Sequence, residues 1–227
     1  FTTVQVDDGT NATTVTSLSG EGVTVGASAL GGDLTVTLED ATGAADSQTI
    51  TLSSAAAYDT TNDILVAGVE TINLVMDDTN TTAHQNTIDL GADSATTINI
   101  SGDAGVVFAT GGDTDIADVI TMNASGVSLG AVTDNGVTYA ATYNTVGGVT
   151  TLTGSNGVDS LTGGSSTNDT ISGGAGADTL VYTGGTDTFT LNHTGEGAVV
   201  LPTLSNVETV VINEAADTSE NGTGLSV

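Results

Sequence analysis

The chain has 227 residues, of which 28 are Asp or Glu and none is Lys or Arg, giving a formal net charge of −28. Without basic side chains, nothing can drive counterion release from a phosphate backbone or bind anionic lipid, so neither nucleic acid nor a charged membrane surface is an expected partner. Chemistry that needs Lys or Arg, such as Schiff-base formation or phosphoryl clamping, is excluded as well.

Disorder is not expected, because 37% of the residues are hydrophobic. Short apolar runs with period 2 recur along the chain, and Val, Ile, Leu and Thr dominate them. Clusters of Gly, Asn and Asp separate the runs and are typical of turns. The pattern predicts an all-β protein of many short strands, arranged as a sandwich, barrel or solenoid. The runs cover residues 15–18, 34–38, 49–52, 72–76, 98–100, 106–108, 119–122 and 137–139.

One phrase occurs twice. Residues 68–74 read GVETINL, and residues 206–213 read NVETVVIN. Each copy places a Glu, Glu70 or Glu208, directly before a run of strand-forming residues. We expect each copy to be the entry to a strand, with the Glu binding a metal or capping a turn.

Residues 154–190 carry a shorter repeat. Its clearest copy, residues 173–181, reads GGAGADTLV and fits the nonapeptide G-G-x-G-x-D-x-U-x, where U is a large apolar residue. Two series, one of Asp and one of apolar residues, step along the segment by 10, 9 and 9 residues. They are Asp159, Asp169, Asp178 and Asp187, and Leu161, Ile171, Leu180 and Phe189.

This period has a direct geometric reading. Six residues make a turn and three make a strand, so two units complete one coil and residues about 18 apart stack in parallel at strand spacing. Asp159 should then stack on Asp178, and Asp169 on Asp187. Glycines allow the turn to direct several carbonyl oxygens toward one point, and the Asp adds charge. Oxygen-only ligands favour Ca²⁺ over Zn²⁺ or copper.

Residues 154–190 resemble the calcium-binding parallel β-roll of RTX, or haemolysin-type, proteins. The wider chain, through its repeated phrases and composition, is similar to RTX-type surface-layer proteins of Gram-negative bacteria. The resemblance implies Ca²⁺ as the bound cofactor. The expected metal-site residues are Gly154, Gly157, Asp159, Gly163, Gly164, Asp169, Gly173, Gly174, Gly176, Asp178, Gly185 and Asp187. The unit at 163–171 has an extra residue and lacks its fourth-position Gly, so its site is expected to be less complete.

The resemblance also implies an organisation and a function. The chain would be a segment of a longer protein, with a β-rich sheet or solenoid region at 1–150, the roll at 151–191 and the start of a further β segment at 192–227. The function implied is that of a structural, non-enzymatic protein of the bacterial cell surface, which is secreted by a type I system and self-assembles through Ca²⁺. A cell-surface polysaccharide, bound through another part of the chain, is a further expected partner.

Other readings remain open. The chain could be a repeat module of a giant secreted RTX adhesin or a subunit of an extracellular filament, or the accessory domain of a secreted enzyme. In a halophilic protein, bulk salt instead of bound calcium would screen the charge. Catalysis within this chain is not expected, because Cys is absent and its two His residues, His84 and His193, lie in polar contexts typical of a surface. The acidic stretches at 7–8, 77–78 and 113–115, the last together with Asp118, are expected to be solvated turns.

Overall fold

The computed structural model describes residues 3–6, 11–18, 22–25, 31–54, 57, 59–79, 84–109, 116, 118–129, 136–140, 150–164, 169–182, 187–193, 202–207 and 209–214. These residues form strands and turns and contain no helix. The strands are β1 (Thr3–Val6), β2 (Thr13–Leu18), β3 (Gly22–Val25), β4 (Leu34–Leu38), β5 (Ser47–Ser54), β6 (Asp59–Val66), β7 (Thr71–Asp78), β8 (Gln85–Gly91), β9 (Thr97–Gly102), β10 (Gly105–Phe108), β11 (Thr121–Val127), β12 (Val137–Ala140), β13 (Thr151–Thr153), β14 (Ser160–Thr162), β15 (Thr170–Ser172), β16 (Thr179–Val181), β17 (Thr188–His193), β18 (Thr203–Ser205) and β19 (Thr209–Glu214).

The strands alternate between two parallel sheets. Odd-numbered strands from β1 to β15 form the first sheet, and even-numbered strands from β2 to β18 form the second. β17 and β19 pair with each other in a small third sheet. Each strand therefore pairs with the strand two places along the chain, and this is the topology of a parallel β-solenoid. Of the three all-β arrangements expected from the pattern, the solenoid is the one observed.

Buried apolar columns hold the two sheets together. Residues at matching positions of successive strands stack in register, for example Ile72, Ile98, Met122 and Leu152 across β7, β9, β11 and β13. All four side chains are buried. A strand residue alternates between the two faces of its sheet, so the residues on either side of such a column point outward.

The sheets continue across residue 150. β11 pairs with β13, and β12 pairs with β14, so the segment 151–191 adds its strands to sheets that begin in the segment 1–150. β18, within 192–227, extends the second sheet in turn by pairing with β16. The division of the chain into segments at residues 150 and 191 stays a prediction.

The repeated phrase marks the same backbone turn twice. Gly68 and Asn206 occupy corresponding positions, and both have positive φ, 70° and 59°. Strands β7 and β19 begin three residues later in each copy. Gly adopts this left-handed conformation without strain and Asn tolerates it better than most residues, which explains the exchange of one for the other. The prediction that each copy is a strand entry is confirmed.

We expect the buried columns to carry most of the folding free energy. Leu74→Ala removes a fully buried side chain between Ile50 and Ile100, and should lower the free energy of unfolding by about 2–5 kcal/mol. Val75→Ala, on the outward face of the same strand, is the matched control and should cost much less. Urea unfolding followed by circular dichroism measures both. Equal losses would contradict the inward and outward assignment.

Candidate metal centre

The predicted six-plus-three period is present in the turns of the roll. Six residues, 154–159, separate β13 from β14, and six, 173–178, separate β15 from β16. Between β14 and β15 the sequence has seven residues, 163–169, because this is the unit with one extra residue. The turns that leave the first sheet lie along one edge of the solenoid, and those that leave the second sheet lie along the opposite edge.

The four aspartates stack in two pairs, one pair on each edge. The backbone N–H of Asp159 donates to Oδ1 of Asp178 at 3.0 Å. On the other edge, the N–H of Asp169 donates to Oδ1 of Asp187 at 2.7 Å. These are the partners expected from the spacing. All four residues are buried, with between 1% and 4% of their surface exposed.

Burial of so many carboxylates without basic side chains sets an electrostatic problem, since buried acids are almost always paired. Burial raises the pKa of Asp159 to about 6, even though hydrogen bonds from Val137 and Ser155 act to lower it. The pKa of Asp169 is also raised to about 6, chiefly by burial and further by the charge of Asp187. Burial raises the pKa of Asp178 as well.

The first edge solves part of this problem with protein donors. Oδ1 of Asp159 accepts hydrogen bonds from the N–H of Val137 at 2.6 Å and from Oγ of Ser155 at 2.8 Å. Oδ2 accepts the N–H of Ser155 at 2.9 Å. Both carboxylate oxygens of Asp159 are therefore bonded within the chain.

The second edge leaves an oxygen unbonded. Oδ1 of Asp169 accepts the N–H of Thr150 at 3.3 Å, but Oδ2 is buried and has no hydrogen-bond partner. An acceptor left unpaired away from water is costly unless a cation or an ordered water completes it. The negative charge of this edge also affects Tyr182. Burial, and to a lesser extent the charges of Asp187 and Asp169, raises the pKa of Tyr182 to about 12.

Glycines provide the space in which the carboxylates lie. The first Gly of three successive units, Gly154, Gly163 and Gly173, faces Oδ2 of the Asp of its own unit, and a Cβ at any of the three would overlap that oxygen. Gly176 serves a different purpose. Its φ is +134°, and a Cβ there would overlap the carbonyl oxygen of Gly157 in the preceding coil. The turns therefore hold backbone carbonyls and carboxylates closer than any other residue would allow.

Of the four remaining glycines expected in the site, three lie among the described residues. Gly157, Gly164 and Gly174 lie in the stacked turns, and Gly174 has φ +90° and faces the carbonyl oxygen of Ser155. Gly185 lies outside the described residues. Within the described part of the chain, no group of three or more His, Cys, Asp or Glu side chains is placed to hold a metal ion. A cation in these turns would need backbone carbonyls beside one or two carboxylates, a ligand set that suits Ca²⁺.

Sequence reasoning missed the residues that bond the aspartates. Ser155 and Thr150 both contact an Asp of the roll, and neither was expected to. Ser155 carries a signal in retrospect, because it replaces the second Gly of its unit with a side chain that can donate a hydrogen bond.

Two expectations outside the roll need correction. Asp77 and Asp78 are not a solvated turn, because they end strand β7, and Asp78 is buried. His84 is not a plain surface residue, since its Nδ1 lies 2.6 Å from Oδ2 of Asp78. The side chain of His193, and residues 7–8 and 113–115, lie outside what the structure describes.

The same device recurs between other coils. An acidic or amide side chain accepts a backbone N–H from the preceding coil in three further turns: Glu70 from Asp46 at 2.9 Å, Asp103 from Asp78 at 2.7 Å, and Asn156 from Leu129 at 2.9 Å. For Glu70, the capping alternative is the one that the contacts support.

Neither a model of a known protein family nor a curated protein matches this chain. The fold defines its class, which is that of the parallel β-solenoids, and the two-sheet coil is consistent with a β-roll of the RTX type. No helix among the described residues is long and apolar enough to cross a membrane.

In the absence of divalent cations, stability should fall as pH rises. The folded-state pKa values of Asp159 and Asp169 lie near 6, above their ordinary value of 3.8, so the folded protein binds these protons more tightly than the unfolded chain does. The bound protons stabilise the fold fully below about pH 4, and this stabilisation is lost as the pH passes through 6. The free energy of unfolding then falls by at most roughly 3 kcal/mol for each group.

Urea unfolding in chelator across this pH range measures the effect. General repulsion among carboxylates also grows with pH, so the comparison with Asp169→Asn isolates the share of that one carboxyl. The variant should lose less stability than the wild type between pH 4 and pH 7. An identical pH dependence in both proteins would contradict the assignment.

Proposed function

We propose that this protein is a Ca²⁺-dependent, non-enzymatic structural component of a bacterial surface layer, acting outside the cell. The observation that carries the proposal is the second edge of the roll. There, Asp169 and Asp187 are stacked and buried in a chain without Lys or Arg, and Oδ2 of Asp169 has no hydrogen-bond partner.

The donor set fits calcium. Asp169 would supply a carboxylate oxygen at the second edge, and Asp178 would do so at the first, with glycine turns bringing carbonyl oxygens near. Bound calcium would supply the positive charge that the chain lacks and so stabilise the ionised carboxylates at neutral pH. Sites built from few carboxylates have affinities typical of extracellular modules, which bind at the calcium concentrations found outside cells.

Charge also supports an assembly function. At −28, copies of the chain repel one another, and a compact coil repels itself. Calcium that relieves this repulsion within a coil can do the same between coils of two molecules. Self-association would then depend on Ca²⁺, because salt bridges involving Lys or Arg are impossible between copies of this chain.

The alternative of an adhesin repeat or filament subunit has its own support. Coils follow one another in two continuous sheets, and such an architecture lengthens without a new kind of interface. A solenoid of this kind could form an extended rod as readily as a subunit of a two-dimensional lattice. In a rod, bound calcium would increase the stiffness.

Calcium should raise the melting temperature, whereas KCl at equal ionic strength should do so much less. That comparison separates bound calcium from the general screening of a halophilic protein. Asp169→Asn should weaken calcium binding at least about tenfold, because it removes a ligand oxygen, and Asp178→Asn should do likewise. Isothermal titration calorimetry measures the affinities.

Asp93→Asn is the matched control, since Asp93 is an exposed turn residue outside the roll. It should bind calcium as the wild type does. Asp159→Asn is a second comparison and should cost more in stability than in calcium affinity, because both oxygens of Asp159 already have protein donors. A melting temperature that chelator leaves unchanged at low salt would end the calcium proposal.

Lattice and rod differ in their response to calcium. As a surface-layer component, the purified chain should form two-dimensional sheets when Ca²⁺ is added and disperse in chelator, which negative-stain electron microscopy and light scattering detect. A chain that stays monomeric while its melting temperature rises supports the adhesin alternative. Sheets that form equally well in chelator would contradict a calcium-driven lattice.

A further inference from the structure

An uncharged and regular face runs along the first sheet. Strands β5, β7, β9, β11, β13 and β15 each place two outward residues beside a buried one, and the strand register aligns them in two columns. We call these twelve residues the neutral face. They are Ser47, Thr71, Thr97, Thr121, Thr151 and Thr170 in one column and Thr49, Asn73, Asn99, Asn123, Thr153 and Ser172 in the other.

The neutral face is accessible along its whole length. The column between its two columns is buried, from Gln48 through Ile98 to Ile171, so the flanking residues point away from the core. All twelve are half-buried or exposed. The partial burial reflects contact between neighbours in a column, as where Nδ2 of Asn99 donates to Oδ1 of Asn73 at 3.0 Å.

The neutral face carries no charged side chain. All twelve positions are Ser, Thr or Asn in a protein that carries 28 acidic residues. The nearest acids border the two columns without interrupting them: Asp46 and Glu70 lie just before the strands, and Asp77 lies on the outward side of β7 beyond Asn73 and Val75. The second sheet is less uniform, since Leu65, Val107 and Asp63 stand among the outward threonines of β4 to β10, although its outward positions from β12 to β18 are again uncharged.

The geometry of the face selects a periodic ligand. Neighbouring strands lie about 4.7–4.9 Å apart, and residues two apart in one strand about 6.6–6.8 Å. Thr side chains are stiff at χ1, so their hydroxyl and methyl groups repeat with the backbone. Each hydroxyl contributes little alone. Only a ligand that repeats with a matching period in two dimensions engages all of them at once.

We propose that the neutral face binds the surface of ice. Ice is uncharged, rejects ions from its lattice and presents a two-dimensional array of hydrogen-bonding oxygens. A face of hydroxyl, methyl and amide groups without charge can order water to match that array, whereas a carboxylate would hold an incompatible hydration shell. Ionic minerals would select carboxylates instead, and sugar surfaces would favour aromatic platforms, which the face lacks.

A second copy of the chain is a poorer occupant. Six strands of two residues offer roughly 300 Å² per partner from the strand spacings, and a stable interface buries about 800 Å² on each side. The face also lacks the aromatic and Arg anchors that dominate binding energy between proteins.

The test is uptake of the purified chain, with Ca²⁺ present, into a slowly growing ice hemisphere. The wild type should be enriched in ice relative to an acidic protein of equal size. Thr97→Tyr combined with Thr121→Tyr should abolish that enrichment, because two large rings break the flat array while Tyr retains strand propensity. Thr35→Tyr combined with Thr87→Tyr places the same rings on the second sheet and should leave enrichment unchanged.

Circular dichroism and the melting temperature check that each variant folds, and Asn99→Tyr replaces the double variant if it does not. No enrichment of the wild type overturns the proposal, as does equal loss in the variants of the two sheets. A dimer in sedimentation that only the first-sheet variant loses would make the face a protein contact and also overturn it. The calcium measurements are independent of these results, so the two proposals fail separately.

Discussion

Matching each coil to the next is the constraint on which this fold depends. In the strands, the hydrogen-bond ladders between parallel strands hold each coil in register with the next. In the turns, side-chain oxygens add to the backbone bonds between coils, and in several turns an oxygen from one coil accepts a backbone N–H of the coil before it. Asp178 does this for Asp159, Asp187 for Asp169 and Glu70 for Asp46. The acidity of the chain is thus partly a structural need, because a carboxylate is an acceptor without a competing donor.

This need creates the electrostatic cost that defines the candidate site. In the roll, the aspartates that accept these N–H groups are themselves buried, and burial raises the pKa of Asp159 and Asp169. The first edge offsets the cost with Ser155 and Val137, whereas Oδ2 of Asp169 at the second edge has no hydrogen-bond partner. An external cation is therefore of most value at the second edge, although the sequence repeat looks most regular at 173–181.

Much of the fold could be predicted from the sequence, because apolar alternation and nine-residue spacing both report on the backbone period. All the apolar runs expected as strands lie wholly or partly in strands, and Leu161, Ile171 and Leu180 are central in β14, β15 and β16. Strands such as β6 and β8 escaped notice, since Asp63 and Asp89 interrupt their apolar pattern. The spacing could pair Asp159 with Asp178, but it could not reveal Ser155 or Thr150, whose roles depend on side-chain direction within a turn.

Because each coil contacts only its neighbours, the solenoid has a mechanical anisotropy. Tension along its axis breaks the backbone hydrogen bonds between one pair of coils at a time. The molecule would therefore unfold in steps and at low force. Tension along the strand direction loads many ladder bonds together in shear and meets far greater resistance. The direction in which such a protein is anchored, more than its thermodynamic stability, would set the load it can bear.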